Sequence, residues 1–365
     1  MRSTPPFLHV VGARPNFMKA APVIRALGEA GVGQVLIHTG QHYDPALSDV
    51  FFRELALPDP DANLGIGSGS QGVQTGALLV ALEAALIERR PALVIVYGDV
   101  NSTLAAALAA AKLGLAVAHV EAGLRSFDPT MPEELNRRVT DLLADLCFVT
   151  SPEAITNLEH EGVAASRIHF VGNPMIDTLL ANLDRLDPVG ARAAHGLPAR
   201  YAVATVHRPS NVDAAADAGR LVAALHELAV EVPTILPLHP RGRAALEAAG
   251  LVSTERLRVI EPLGYVEFLG LVRGAALVLT DSGGLQEETT VLGVPCLTVR
   301  PNTERPITIT HGTNRLVTPA EVGGAARAVL AGDVRRPPGP PPLWDGHAGE
   351  RIAGILVDWL RGAAV

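Results

Sequence analysis

The sequence contains few cysteines and no recognisable leader segment. Cys147 and Cys296 are the only two cysteines in 365 residues, and each lies inside a short apolar run of the kind that forms strands. Two buried thiols in a reducing compartment are therefore favoured over a disulfide or a metal pair. The stretch from Met1 to Val11 has one arginine, two prolines and a short apolar run, without the length or cleavage pattern of a signal peptide. We expect a cytoplasmic protein.

Long apolar runs and an excess of positive charge are also missing. The longest apolar runs, such as Ala105–Ala111 and Ala275–Leu279, are much shorter than the roughly 20 residues that span a membrane. The formal net charge of -8 argues against non-specific nucleic-acid binding, which needs a basic surface. We therefore expect neither a membrane nor a nucleic acid as a partner. A small phosphate ligand is not excluded, because a few local cations and backbone amides are enough to hold it.

What the sequence does contain is a regular alternation of short apolar runs with alanine- and leucine-rich stretches of helical period. This alternation is typical of parallel sheets with crossover helices, so the predicted fold class is α/β with two doubly wound, Rossmann-like domains. With 48% hydrophobic residues the chain is long enough for two cores. The predicted strands are Phe7–Val11, Gln34–His38, Leu93–Tyr97, Ala116–Val120, Cys147–Val149, Ile168–Val171, Tyr201–Val206, Thr234–Leu238, Arg258–Ile260, Leu277–Thr280, Pro295–Val299 and Asn314–Val317.

The same alternation indicates where the domains divide. We expect an N-terminal domain over residues 1–172 and a C-terminal domain over residues 173–335, with the carboxyl edges of both sheets facing a shared cleft. Residues 336–365 are predicted to form a proline-rich linker and a last helix, Gly349–Leu360, that packs back on the first domain.

The first strand leads into a turn that carries two cations. In the segment Gly12–Lys19, glycine permits a tight turn and proline suits the first turn of a helix. The backbone amides of that helix start, together with Arg14 and Lys19, would form an anion site. An ordinary turn with surface cations explains the same residues equally well.

A second glycine-rich segment, Gly67–Gly72, has the spelling of a dinucleotide-binding fingerprint. It does not follow a predicted strand and lies too far along the chain to be the first turn of a Rossmann domain. We therefore interpret it as a mobile glycine loop beside the cleft, and no nicotinamide cofactor is expected from it.

Three acidic side chains of the first domain, Asp99, Glu121 and Glu133, follow predicted strands or begin a helix. Helix capping by Asp99 or Asn101 and a favourable dipole interaction of Glu133 are the simpler interpretations of those residues. Neither applies to Glu121, which directly follows an apolar strand. Carboxylates buried near a phosphate site are suited to donate and accept protons, because burial and neighbouring charges shift their pKa values.

In the second domain, positive or titratable side chains follow predicted strands. His207 and Arg208 come after one strand, His239 after the next, and Arg305 after a later one. Because the carboxyl ends of parallel strands lie at one edge of the sheet, these side chains are expected at the same cleft.

The segment Thr280–Glu288 gives the strongest local signal. Its small residues Ser282–Gly284 open a helix directly after a strand and leave the first helical amides free for a diphosphate. Glu288 lies further along that helix, on a face that reaches ribose hydroxyls. The alternative is a turn in which the glycines supply only backbone freedom, and the acid further along the helix favours the phosphate interpretation.

Taken together, the motifs resemble those of the bacterial non-hydrolysing UDP-N-acetylglucosamine 2-epimerases. The resemblance covers nearly the whole chain, and the motifs occur in the order and spacing of that family. They are Gly-x-Arg-Pro-x-x-x-Lys, Gly-Asp, His-Val-Glu-Ala-Gly-Leu-Arg, Pro-Glu-Glu-x-Asn-Arg, Val-x-x-Thr-x-His-Arg, Asp-Ser-Gly-Gly-x-Gln-Glu-Glu and Thr-Glu-Arg-Pro.

The resemblance implies a fold, a set of site residues and an oligomeric state. The fold is the two-domain glycosyltransferase B architecture, and the protein is expected to be a homodimer without a cofactor or a metal. Acid and base roles fall on Asp99, Glu121 and Glu133, and Lys19 and His207 become charged partners of the reacting sugar phosphate. The implied contacts to UDP or substrate are Arg14, Gln41, Gln71, His239, Ser282, Gly283, Gly284, Glu288 and Arg305.

Three positions depart from the commonest pattern of this family, namely Asn16, Pro209 and Ser210. In part of the family these positions belong to a second site at which UDP-N-acetylglucosamine activates the enzyme. The departures put allosteric activation in doubt here, although the acid and base residues are all present.

The implied reaction inverts C2 of UDP-N-acetylglucosamine to give UDP-N-acetylmannosamine. Because C1 is an acetal, no neighbouring carbonyl makes the C2 proton acidic. Either a nicotinamide transiently oxidises the ring, or UDP leaves from C1 while that proton is removed, giving a 2-acetamidoglucal to which UDP is added again. The resemblance implies the second route, and the lack of a convincing nicotinamide fingerprint agrees with it. Three alternatives are a hydrolysing 2-epimerase, a glycosyltransferase of the same fold and a non-catalytic nucleotide-sugar-binding protein. The intact acid and base set argues against the last two.

Overall fold

The protein folds into two compact units. The structure, a computed structural model, describes residues 5–40, 52–212, 214–238, 240–334 and 339–363. The first unit comprises Met1–Ala181 together with Pro342–Val365, and the second comprises Asn182–Pro341. The first unit continues past residue 172 because the helix Pro174–Ala181 packs against the helix Arg14–Glu29.

The first unit is built on a seven-stranded sheet in which every pairing of the described strands is parallel. The strands are β1 (Phe7–Val11), β2 (Gln34–His38), β3 (Ala62–Asn63), β4 (Leu93–Tyr97), β5 (Ala116–Ala122), β6 (Leu146–Val149) and β7 (Ile168–Phe170), in the order β3-β2-β1-β4-β5-β6-β7. The helices before residue 182 are α1 (Arg14–Glu29), α2 (Gln71–Arg89), α3 (Asn101–Lys112), α4 (Pro132–Leu143), α5 (Pro152–His160) and α6 (Pro174–Ala181).

The second unit repeats this plan with six parallel strands. They are β8 (Ala202–Thr205), β9 (Thr234–Pro237), β10 (Leu257–Ile260), β11 (Leu277–Thr280), β12 (Cys296–Val299) and β13 (Asn314–Val317), in the order β10-β9-β8-β11-β12-β13. The helices are α7 (Pro188–Ala194), α8 (Pro209–Val212), α9 (Ala215–Glu231), α10 (Pro240–Ala248), α11 (Tyr265–Arg273), α12 (Gly283–Leu292), α13 (Ile307–Thr310) and α14 (Val322–Leu330).

These two sheets confirm the predicted fold class. The central strands β1, β4 and β11 are buried throughout, which is why apolar runs such as Leu93–Tyr97 predict them well. The largest differences are that β5 continues to Ala122 rather than ending at Val120 and that the two-residue strand β3 was not predicted, whereas several other strand ends differ by one residue.

Helices α2, α3 and α4 pack against one another, and α3 lies against the sheet. On α2 the buried residues Gln74, Leu78, Leu82 and Leu86 recur every four positions, and this face packs against α3. The alanine-rich α3 is itself almost entirely buried and packs on its other side against α4. Within the described ranges, no helix is long and apolar enough to cross a membrane.

Each sheet has one place where the strand order changes direction. In the first unit this place lies between β1 and β4, and in the second between β8 and β11. The loops that follow these strands leave the sheet in opposite directions, which opens a crevice at the carboxyl edge. The loops after β1, β4, β8 and β11 are therefore where ligand-binding residues are expected.

The segment after residue 341 returns to the first unit. The indole Nε1 of Trp344 donates a 2.9 Å hydrogen bond to the carbonyl oxygen of Thr150. The last helix, α15 (Ala348–Ala363), packs along α1. Its start is held by Asp177, whose Oδ2 accepts a 2.7 Å hydrogen bond from the amide of Gly349. The segment thus completes the core of the first unit.

We expect the replacement Gly172→Ala to weaken the attachment of this segment. Gly172 has a φ of 86°, and a Cβ there would lie 2.9 Å from the carbonyl carbon of Leu343 and closer still to its oxygen. The left-handed conformation costs about 1–2 kcal/mol and the steric overlap about 1–3 kcal/mol more. Urea unfolding of the variant measures the sum.

Gly162→Ala is the matched control for that replacement. Gly162 has a φ of 83°, but a Cβ added there would meet nothing within 4 Å, so only the conformational cost remains. Equal losses of stability in both variants would mean that the contact with Leu343 does not hold the segment in place.

Candidate active site

A single side chain, that of Asn16, joins the loops that follow β1 and β4. Its Oδ1 accepts hydrogen bonds from the amides of Gly12 (3.1 Å) and Ala13 (3.0 Å), and its Nδ2 donates to the carbonyl oxygen of Tyr97 (2.7 Å). The amides of Gly12 and Ala13, which the sequence analysis considered as part of an anion site, are therefore already hydrogen-bonded within the protein. Arg14 is half-buried at the first position of the helix.

Glu121 is the additional residue of a β-bulge. The register of β5 against β6 shifts between Val120 and Ala122. Glu121 has a φ of 76°, in the left-handed region that residues other than glycine rarely adopt. A bulge takes a side chain out of the alternation of its strand, and strained backbone of this kind is concentrated at functional sites. Glu121, whose position in the sequence was not explained by helix capping, is thus held in a left-handed backbone conformation.

The carboxylate of Glu121 forms a buried ion pair with Lys19 of α1. Oε1 lies 2.6 Å from Nζ, and the side chains of Glu121 and Lys19 are 1% and 3% exposed. Gly98 leaves room for the pair: its φ is 63°, and a Cβ there would lie 2.9 Å from the Lys19 Nζ. Only glycine fits this position without displacing the ammonium group.

Asp99 directly follows Gly98 and is connected to α4. Its carboxylate forms an ion pair with Arg137, and its carbonyl oxygen accepts a 2.8 Å hydrogen bond from Asn136. Glu133 is half-buried in the first turn of the same helix and, among the described residues, its carboxylate has no hydrogen bond or ion pair. Asp99 therefore lies one residue after the glycine that borders the Lys19–Glu121 pair, and its contacts tie the helix of Glu133 to the same loop.

Asn101 links this loop to the start of α2. Its Nδ2 donates to Oε1 of Gln71 and of Gln74, both at 2.8 Å, and its Oδ1 accepts from Asn136 at 3.1 Å. One interpretation of the sequence was that Asn101 caps α3. Its side chain makes no capping hydrogen bond and instead joins α2, α3 and α4. The glycine segment that ends at Gly72 enters α2 at Gln71, an exposed residue.

The loop at Gly98 rests on a buried histidine that the sequence analysis did not select. His119 Nε2 lies 2.8 Å from the carbonyl oxygen of Gly98, and Nδ1 lies 2.6 Å from Oδ1 of Asp141. Burial alone would raise the pKa of Asp141, but the charges of His119 and Arg125 outweigh it and hold that pKa below its usual value. A histidine two residues before Glu121 on an otherwise apolar strand was the available signal.

The second unit carries a corresponding group of residues after β8 and β11. His207 follows β8, its side chain is 57% exposed, and its Nδ1 lies 3.0 Å from Oδ1 of the fully buried Asp281. Asp281 also accepts hydrogen bonds from the amides of His207 and Arg208. His207 is thus fixed from beneath by a carboxylate that the sequence analysis did not select.

Directly after Asp281, Ser282 is the N-cap residue of α12, and its side chain makes no capping hydrogen bond. Gly283 and Gly284 are the first two helical residues, so no side chain at the cap competes with a ligand for the first amides. Arg305 lies close by, but its guanidinium is engaged: Nε is 3.1 Å from Oε1 of Glu287, and Nη1 pairs with Glu304.

Glu288 lies on the buried face of α12. Burial raises the pKa of this carboxyl to about 8, and the neighbouring charge of Glu287 acts in the same direction, whereas a hydrogen bond from Tyr265 acts against it. At neutral pH the side chain is therefore mostly protonated, so that it has both a donor and an acceptor atom for a polar ligand.

Two predicted contact residues, Gln41 and His239, lie outside the described residues. The described part of the chain contains no group of three His, Cys, Asp or Glu side chains that could hold a metal ion.

The chain has two doubly wound units. Carboxylates lie at the strand-order reversal of the first unit, and a glycine helix start without a side-chain cap lies at the reversal of the second. These features define a glycosyltransferase-B-type α/β enzyme. The family model described as UDP-N-acetylglucosamine 2-epimerase matches residues 25–357. The chain belongs to this family and is an epimerase.

Solved and curated relatives agree with this assignment. The structure of the Methanocaldococcus jannaschii UDP-GlcNAc 2-epimerase in complex with UDP-GlcNAc and UDP superimposes with a TM-score of 0.89 at 40% identity, covering 96% of this chain and 99% of that one. The Escherichia coli K12 UDP-N-acetylglucosamine 2-epimerase is 35% identical over 85% of this chain and 86% of its own length. The UDP-2,3-diacetamido-2,3-dideoxy-D-glucuronate 2-epimerase of Pseudomonas aeruginosa is 41% identical over 97% of this chain and 98% of its own.

The buried Lys19–Glu121 pair leads to a prediction about stability. Lys19→Met and Glu121→Gln each leave one charge buried without its partner, so each variant is expected to lose about 3 kcal/mol of unfolding free energy. The double variant removes both charges and is expected to recover most of that loss, as measured by thermal and urea unfolding. If the two single losses simply add in the double variant, the two groups are not energetically coupled.

Proposed function

We propose that the chain is a non-hydrolysing epimerase that interconverts UDP-N-acetylglucosamine and UDP-N-acetylmannosamine. The observation that carries this proposal is the bulged, buried Glu121, paired with Lys19 and adjacent to Asp99 at the strand-order reversal of the first unit. The relatives named for this reaction support the choice of substrate. A site that only bound a nucleotide sugar would not need a carboxylate in strained backbone conformation.

The chemistry requires a base and an acid that act on C2. One carboxylate removes the C2 proton while the bond between C1 and the oxygen of UDP breaks, and the electron pair of the C–H bond becomes the second bond between C1 and C2. The products of this step are UDP and 2-acetamidoglucal. Addition of UDP to C1 and of a proton to the other face of C2 completes the inversion. We assign the proton transfers to Asp99, Glu121 and Glu133.

The second unit supplies the proposed nucleotide contacts. The uncapped amides of Gly283 and Gly284 fit the diphosphate, because a helix start combines free N–H groups with a favourable dipole. The amide of Ser282 donates to the hydroxyl of Thr280 at 2.9 Å, so Ser282 is proposed to contact the nucleotide through its side chain. His207, whose exposed ring is held against Asp281, is placed to stabilise the charge of departing UDP. Glu288, protonated at neutral pH, fits a ribose hydroxyl. Arg14, Gln41, Gln71, His239 and Arg305 remain proposed contacts on the family resemblance.

The reaction is tested by proton NMR with UDP-N-acetylglucosamine in deuterium oxide. We expect UDP-N-acetylmannosamine to appear, with solvent deuterium at C2 of the sugar, because a carboxylate that holds the proton exchanges it with water. A small leak of UDP and 2-acetamidoglucal is also expected.

The variants Asp99→Asn, Glu121→Gln and Glu133→Gln should each lower turnover about a hundredfold or more. The exposed Glu159→Gln on α5 is the control and should keep wild-type turnover.

Each alternative gives a different spectrum in the same assay. A hydrolysing enzyme releases free N-acetylmannosamine, and a glycosyltransferase does nothing without an acceptor. Because the Pseudomonas aeruginosa relative is named for a 2,3-diacetamido glucuronate nucleotide, that substrate is run in parallel. Full retention of the original hydrogen at C2 over many turnovers would contradict the two-carboxylate mechanism.

We also propose that the chain forms a homodimer through the outer faces of α2 and α4. On α2, Val73, Val80 and Ile87 are 70%, 70% and 54% exposed and recur every seven residues. On α4, Leu135 and Leu142 are also exposed at the same spacing. Both helices pack against α3, so the two apolar stripes lie on the same side of the sheet. Exposed apolar surface of this regularity is typical of a helix-to-helix interface.

The dimer is tested with Val80→Arg, which places a charge in the middle of the α2 stripe. In a symmetric dimer this charge would be buried against the partner, so we expect a monomer in light scattering after gel filtration. Val230→Arg is the matched control, since Val230 is 71% exposed on α9 of the second unit and should leave the dimer intact. A wild-type chain that is monomeric at micromolar concentration would rule the proposal out.

The compartment proposed for the enzyme is the cytoplasm. Cys147 and Cys296 are free and buried in β6 and β12. Burial raises the pKa of Cys147 to about 12 and that of Cys296 to about 11, so both remain unreactive thiols. Two unpaired cysteines of this kind fit a reducing environment.

A further inference from the structure

Asp281 lies where the strand order of the second sheet reverses. Thr205 of β8 pairs with Thr280 of β11, so the next residues of both strands leave the sheet side by side. The amide of Asp281 donates to the carbonyl oxygen of Thr205 at 3.3 Å. The side chain of Asp281 is thus placed directly below the loop that carries His207.

The carboxylate of Asp281 accepts hydrogen bonds from the loop after β8 and from the short helix α8 that follows it. It accepts from the amide of His207 (3.1 and 3.0 Å to its two oxygens), from the amide of Arg208 (2.9 Å) and from Nδ2 of Asn211 (3.0 Å). Asn211 Nδ2 also lies 3.2 Å from the carbonyl oxygen of Val299 at the end of β12. The loop is therefore wrapped around one buried acceptor.

This carboxylate is ionised at every pH at which the protein is expected to work. Burial by itself would raise the pKa of Asp281, but the charge and hydrogen bond of His207, with those of the Arg208 amide and Asn211, lower it to about 2. An ionised carboxylate has no proton to donate. Every group that forms a hydrogen bond with the Asp281 carboxylate must therefore be the donor and carry the hydrogen itself.

The protonation pattern of His207 follows from that constraint. Nδ1 lies 3.0 Å from Oδ1 of Asp281, so Nδ1 must carry the hydrogen of this contact. A neutral ring then exposes the lone pair of Nε2, and a charged ring exposes an N–H at Nε2 with Asp281 as its counter-ion. Because the side chain is 57% exposed, Nε2 is the nitrogen that meets a ligand.

We propose that Asp281 is a positioning residue that fixes His207 with its Nδ1 protonated and presents Nε2 to the diphosphate of the nucleotide. The role of His207 in this statement rests on the proposed function. A carboxylate behind an imidazole sets which nitrogen acts and keeps the positive charge on the ring when a proton arrives. When UDP leaves C1, a charged ring held in this way stabilises the new negative charge without having to reorient.

The first test reads the ring directly in the protein without substrate. In ¹⁵N-labelled protein, the His207 ring signals are identified as those absent from the spectrum of His207→Gln. We expect the Nδ1-protonated form in the wild type and its loss in Asp281→Asn, whose neutral side chain no longer attracts that proton. Asn211→Ala is the matched control: it removes another donor to Asp281 and should leave Nδ1 protonated.

The second test asks whether Asp281 acts through His207. Asp281→Asn and His207→Gln should each lower turnover about a hundredfold and weaken UDP binding, measured by titration calorimetry, about tenfold. The double variant should be no worse than His207→Gln alone, because the carboxylate has nothing left to position. A purely structural carboxylate would instead give losses that multiply.

The outcomes separate this proposal from the proposed function. A wild-type ring protonated only at Nε2, or losses that multiply in the double variant, overturns the role of Asp281. If Asp281→Asn does not fold, the spectra of the wild type and of Asn211→Ala still decide the protonation of Nδ1. A wild-type protein that fails to epimerise UDP-N-acetylglucosamine while its His207 ring behaves as stated contradicts the substrate and leaves the positioning role supported.

Discussion

The buried contact between Lys19 and Glu121 is the interaction on which the first site depends. Opposite charges taken out of water are tolerated only when their geometry is close to ideal, because the cost of desolvation is comparable to the attraction. Several local features serve that geometry. The bulge in β5 turns Glu121 toward α1, Gly98 leaves the space that a Cβ would fill, and His119 supports Gly98 from below. A charged pair thus dictates both a backbone distortion and the choice of a glycine.

The two units solve the same problem with different chemistry. In each, one buried side chain ties together the loops at the reversal of strand order: Asn16 in the first unit and Asp281 in the second. The side-chain amide group of Asn16 accepts hydrogen bonds from two backbone N–H groups through its oxygen and donates one to a carbonyl through its nitrogen. It therefore joins the two loops without adding charge. The carboxylate of Asp281 only accepts, so it also draws an imidazole and brings a negative charge next to it. The neutral junction lies beside the proposed acid and base groups, and the charged one lies beside the proposed leaving-group site.

The sequence predicted the strands well because their burial on two faces makes them continuous apolar runs, as in β4 and β11. It also indicated Glu121 as unusual. The bulge itself was beyond reach, since it is defined by the register of β5 against β6, which no local pattern records. For the same reason Asp281 was overlooked: its four donors are brought to it from residues some seventy positions away. Nor does the local pattern before α1 record that Asn16, three or four residues further on, accepts hydrogen bonds from the amides of Gly12 and Ala13.

The return of the chain to its first unit has a consequence for the order in which the protein can be built. The second unit, Asn182–Pro341, is continuous in sequence, whereas the first is assembled from residues on either side of it. During synthesis α15 therefore cannot pack along α1 until the whole second unit has been made. The hydrogen bond from the amide of Gly349 to the carboxyl group of Asp177 also forms only after that point. Domains generally fold as units as the chain is made. Here the later unit in the sequence is the one that can be finished first, and the earlier unit, with its buried ion pair, is closed last.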